Sequence, residues 1–155
     1  MTDVLVSVLI CILLSLFTTL MFYEVLGVVM KLISRSRFSP RRLLIVMALG
    51  IMFAHSLSIF IYGAAYWLLT YFSHFPKLEG IDIASFGGYL YYSATSYTSL
   101  GVGDVYARGC LRIVSSFEVI NGLTLIAWSA TFTFGAVKKL WQLSSSEQWF
   151  RSKLF

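Results

Sequence analysis

Seven consecutive residues, Thr98, Ser99, Leu100, Gly101, Val102, Gly103 and Asp104, concentrate hydroxyls, glycines and a carboxylate in a chain that is 58% hydrophobic. Gly101 and Gly103 stand at alternate positions, and glycine adopts positive φ without steric cost, so successive carbonyls there can face one side. Carbonyls aligned in this way, with the hydroxyls of Thr98 and Ser99 beside them, can replace the hydration shell of a cation. Asp104 at the far end either attracts cations or hydrogen-bonds behind the segment. The chemistry is the dehydration and passage of an ion, with no covalent bond made or broken. Taken alone, GVGD also reads as a simple turn between two helices.

Two ionisable residues interrupt otherwise apolar runs. A membrane-embedded acid is by default a functional residue with a partner. Glu118 is therefore expected to accept hydrogen bonds from Thr95 or Ser96, or to pair with Arg112 of a neighbouring subunit, as a brace rather than an ion ligand. His55 reads as a hydrogen-bonded neutral imidazole. Glu24 is expected to reach Lys31 or Arg35. Cys11 and Cys110 have no CxxC spacing and read as buried thiols. No nucleophile and base pair, metal-ligand cluster or phosphate loop is evident, so the chain is not read as an enzyme and no cofactor is expected.

Such residues need a membrane scaffold, and only 12% of the 155 residues are charged. A hydrocarbon core of roughly 30 Å takes about 20 apolar residues of helix. Residues 4–23, 43–73 and 113–137 each meet that requirement, which gives three transmembrane helices. The first run has no basic start and no small-residue cleavage site, so it reads as a retained helix. The apolar stretch 85–97 is too short to span and reads as a re-entrant helix. The expected organisation is an extra N-terminal transmembrane helix over 1–34, a basic linker over 35–42, a pore module over 43–137 and a tail over 138–155. Within the module lie an outer helix at 43–72, an exposed loop at 73–84, a pore helix at 85–97, the 98–104 segment and an inner helix at 108–137. The tail is expected either to lie on the membrane surface or to fray.

The net charge of +5 does not point to nucleic acid. All of the 12 basic residues except Lys77, Arg108 and Arg112 fall either between the first two spans or after the third. Basic loops stay on the cytoplasmic side, which sets the N-terminus outside and the C-terminus inside.

The order outer helix, short aromatic helix, TSLGVGD, inner helix resembles the pore module of the potassium channel superfamily. That family's filter signature, T-T/S-V/I-G-Y/F-G-D, falls on Thr98 through Asp104. Small bacterial two-helix pore domains open the inner helix with Gly-Arg, then place Glu six residues after the Arg and Gly four after the Glu. Arg112, Glu118 and Gly122 match, while Leu111 stands in place of the glycine. Span one has no counterpart in the two-helix module.

The resemblance implies an all-α membrane protein assembled as a homotetramer in membrane lipid, in a bacterial inner membrane. Potassium would be held at the carbonyls and hydroxyls of Thr98, Ser99, Leu100, Gly101 and Val102. Thr95, Ser96 and Glu118 would support the filter, and Gly122 would be the gating hinge or a close-packing contact. Val102 replaces the usual Tyr or Phe, so a weakly selective monovalent cation pore that also admits sodium stands beside the potassium-permeable reading. A non-conducting membrane scaffold or accessory subunit is the third alternative. The tyrosines at 89, 91, 92 and 97 are either a substitute cuff for the filter or interfacial packing. Asn121 and Thr124 are read as polarity near the cavity. Ile126, Ala130 and Phe134 read as lower-pore lining or as helix contact.

Overall fold

Helix α1 spans Thr2–Arg35, α2 Pro40–Phe72, α3 Phe86–Tyr97 and α4 Leu111–Leu154. These come from a computed structural model that describes residues 2–35, 39–72, 75–76, 78–80 and 85–154. Among the described residues, α1, α2 and α4 are long and apolar enough to cross a membrane. At a rise of about 1.5 Å per residue, the 12 residues of α3 cover only about 18 Å. The chain is thus a helical integral membrane protein with three spans and one short helix between the second and third.

Helix α1 buries Ser7, Cys11, Thr18, Phe22 and Leu26. Steps of four and seven keep these residues on one side of a helix. Its opposite side exposes Leu5, Leu9, Leu13, Leu16 and Leu20, the composition expected of a lipid-facing surface. The buried stripe packs on both α2 and α4 of the same chain. Lipid tails are as apolar as leucine, so close packing and interhelical hydrogen bonds, rather than water exclusion, must hold such helices together. The α2–α3 contact shows the packing: a Cβ at Gly63 would sit 3.1 Å from Leu90 Cα. Two apolar clusters fill the interior. One gathers Cys11, Tyr62, Tyr66, Tyr92 and Val114, and the other gathers Phe22, Leu26, Ala54, Tyr97 and Leu125.

The structure alters several expectations. The 73–84 segment is not wholly exposed, because Leu78 is buried and Glu79–Gly80 pairs antiparallel with Val105–Tyr106. This two-residue ladder, β1 with β2, is the one sheet among the described residues. Helix α4 begins at Leu111 after a turn at Gly109, and it continues as a single helix of 44 residues instead of ending near 137. Cys11 is buried as expected, whereas Cys110 is only half-buried. Among the described residues, no ion pair joins Glu24 to Lys31 or Arg35. Residues 73–74, 77 and 81–84 of the outer loop, Arg37 of the linker, and the side chains of Arg41, Lys139, Arg151 and Lys153 lie outside the described residues.

Candidate ion-conduction site

The last turn of any α-helix leaves four carbonyls without intrahelical partners. At the end of α3 these are the carbonyls of Ala94, Thr95, Ser96 and Tyr97, and the chain that follows satisfies three of them. The Thr98 amide and hydroxyl both donate to Ala94 O, at 3.2 and 2.7 Å. The Ser99 amide donates to Ser96 O at 2.9 Å, and the Gly101 amide reaches back to Thr95 O at 3.2 Å. The fourth carbonyl, Tyr97 O, packs against the backbone of α4 at Gly122. A Cβ there would collide with it and lie 3.0 Å from Tyr97 C. Glycine at 122 is therefore set by close approach of α4 to the foot of α3.

Beyond Thr98 the backbone alternates. Ser99, Gly101 and Gly103 have φ of +55°, +55° and +88°, while Leu100 and Val102 between them are not in the positive range. The segment is irregular backbone with a two-residue period, not a hydrogen-bonded strand. Ser99 is the one described non-glycine residue with positive φ. Leu100 and Val102 are 68% and 56% exposed in the single chain. A partly open cavity of about 360 Å³ adjoins the segment, lined in part by Ser99, Gly101, Thr95, Ser96 and Ser115.

The Asp104 end of the segment is tied to α3. The Tyr91 hydroxyl donates to Asp104 Oδ2 at 2.9 Å, and the Val105 amide donates to Asp104 Oδ1 at 2.9 Å. Donation to this carboxylate pushes the Tyr91 phenol above its ordinary value, with smaller contributions from desolvation and from the negative charge. The ladder continues the closure: Tyr106 donates to Glu79 at 3.0 Å, and Arg108 pairs with the same carboxylate at 2.8 Å.

Glu118 is fully buried, and its partners differ from those expected. Tyr66 donates to Oε2 and Ser93 to Oε1, each at 2.6 Å. Helical spacing explains the correction. Ser93 and Tyr97 are four apart on α3, as Glu118 and Gly122 are on α4, so the two pairs meet along one ridge. Thr95 and Ser96 turn away from that ridge. The Thr95 hydroxyl donates to Tyr92 O in its own helix at 2.9 Å, and Tyr92 donates to Ser115, which lies 3.4 Å from Ser96. They line the cavity rather than meeting Glu118.

His55 is hydrogen-bonded on both ring nitrogens. Nδ1 lies 2.9 Å from Tyr97 OH, and Nε2 lies 3.2 Å from Ser129 Oγ. One ring thus joins α2 to the end of α3 and to α4, with the Phe22 ring of α1 tilted against it at a centroid distance of 4.8 Å. Asn121 does not face the cavity; it turns toward α1 and α2, bonding Thr18, Thr19 and Tyr62. Thr124 is exposed and bonds back to Ile120 O. Ile126, Ala130 and Phe134 form part of the exposed side of α4. Sequence reasoning missed Tyr66 and Ser93 as partners of Glu118. The signal was present, since a buried acid demands two donors and both hydroxyls stand in apolar segments.

Spanning helices that hold an irregular, glycine-alternating segment at the end of a short internal helix define a membrane pore module. The chain belongs to the ion channel family, whose model matches residues 43–139, from α2 into α4. The match is of the two-helix potassium channel pore type, and α1 lies outside it as an additional helix. No curated protein and no solved structure matches the chain significantly.

Proposed function

We propose that the chain is one subunit of a homotetrameric, potassium-permeable channel, in which four copies of residues 98–103 surround a central file of ions. The observation that carries this reading is the positive φ at Ser99, Gly101 and Gly103, the alternation that turns successive carbonyls toward one side. A carbonyl cage of this kind needs four strands, and one chain supplies one. The exposed side chains of Leu100 and Val102 favour a neighbour packed behind the filter. Ions pass without chemical change, and the carbonyls and hydroxyls from Thr98 to Val102 are the ligands. Asp104 and Tyr91 brace the outer mouth, while Glu118 with Ser93 and Tyr66 braces the pore helix. The N-terminus lies outside and the basic C-terminal side in the cytoplasm, in a bacterial inner membrane.

One observation favours a second reading, a weakly selective monovalent cation channel. Val102 carries no hydroxyl to brace the filter, and its side chain is more than half exposed. Reconstitution in planar bilayers under a potassium/sodium gradient tests both. Reversal near the potassium equilibrium supports the selective channel, and reversal near zero supports the weakly selective one. Silence under all conditions supports a non-conducting scaffold and refutes both.

A further inference from the structure

Helix α1 lies outside the residues matched to the channel family, yet it is bonded to the inner helix at one buried residue. The Asn121 amide donates to Thr18 Oγ1 at 2.7 Å and to Tyr62 OH at 3.2 Å, and its carbonyl oxygen accepts from Thr19 Oγ1 at 3.2 Å. Thr18 is free to accept because its own proton goes to Leu14 O at 2.8 Å. Tyr62 in turn lies 3.2 Å from Ser15 of α1. Three hydroxyls of α1 thus converge on one amide and the phenol beside it. The next residue, Gly122, is the point where α4 presses on Tyr97 O at the foot of the filter.

We propose that α1 is a positioning element for the pore, acting through Asn121. In lipid, an apolar seam alone leaves helix rotation and height loosely specified, whereas an amide held by hydroxyls fixes both. The clamp sets α4 at the turn that touches the pore helix, so α1 governs how readily that contact rearranges during gating. It leaves the ion ligands themselves untouched. This inference rests on the conduction reading above.

The test is single-channel recording from the reconstituted full-length chain carrying Thr18→Val, Asn121→Leu or both, with Thr18→Ser as the variant that keeps the hydroxyl. Each single loss is expected to change mean open time by about threefold or more. The double variant should change it no further than Asn121→Leu alone, because Thr18 acts through Asn121. Unitary conductance and reversal potential should stay at wild-type values, and Thr18→Ser should gate as wild type. If Asn121→Leu does not assemble, Thr18→Val against Thr18→Ser carries the same comparison. Additive changes, or gating unchanged in every variant, overturn the inference while leaving the channel reading in place. A wild-type chain that carries no current overturns both.

Discussion

Gly122 of α4 meets the carbonyl of Tyr97 so closely that no side chain fits between them. Gly122→Ala is therefore expected to force the foot of α3 away from α4 and to destabilise the protein by about 1–3 kcal/mol, the usual cost of overpacking. Conduction should fall with it. Gly135→Ala, where a Cβ meets nothing within 4 Å, should be neutral or slightly stabilising by virtue of helix propensity. Thermal melting of the two variants in detergent, together with their bilayer currents, makes the comparison. Equal melting temperatures would remove the packing account and leave only a hinge.

The Tyr91–Asp104 bond predicts an alkaline limb. The phenol is raised by donating to the carboxylate, so its contribution is fully present below the free phenol value of about 10 and is lost as pH rises through the raised value. Open-channel behaviour should be flat from neutral pH to about 10 with respect to this bond and should deteriorate above it. Tyr91→Phe should shorten open bursts at neutral pH and abolish the alkaline limb. A limb of the same size in Tyr91→Phe would assign it elsewhere.

Proton counting makes a prediction at Glu118. The Ser93 hydroxyl has one proton and two acceptors at hand, Ile59 O at 2.8 Å and Glu118 Oε1 at 2.6 Å. A neutral side chain at 118 that can itself donate resolves the conflict. Glu118→Gln is expected to melt within about 1 kcal/mol of wild type, with its amide donating to Ser93 and its oxygen accepting from Tyr66. Glu118→Ala strands the buried Tyr66 hydroxyl, leaves Ser93 with Ile59 O alone and opens a cavity, and should lose about 2 kcal/mol or more. Glutamine as damaging as alanine would show that the carboxylate charge is required.

Val102→Tyr addresses ion choice. If the missing phenol is what softens the filter, the potassium-to-sodium permeability ratio from reversal potentials should rise in the variant. A ratio unchanged from wild type would dismiss the aliphatic residue as the cause of weak selectivity.

The architecture was legible because its signals are lengths and local patterns. Three apolar runs, a short aromatic stretch and TSLGVGD are each contained in a few consecutive residues. What eluded the sequence was rotation about helix axes. Thr95 and Ser96 are two and three residues beyond Ser93, yet a helix turns about 100° per residue, and only Ser93 faces Glu118. Asn121 illustrates the same limit. Its polarity required partners, but whether these lay in the cavity or on α1 depended on how α4 is turned against its neighbours. The buried stripe of α1 was readable in principle, since Ser7, Cys11 and Thr18 interrupt leucines at helical spacing.

The length of α4 has a mechanical meaning. Helix α4 is held by its neighbours over several turns, from Val114 through Glu118, Asn121 and Gly122 to Ser129 and Phe132. From Phe132 a further 22 residues, about 33 Å at 1.5 Å per residue, continue to Leu154. A sideways load on the last turns therefore reaches the 98–104 segment only through this braced stretch, and any tilt of the rod must disturb the Glu118, Asn121 and His55 contacts together.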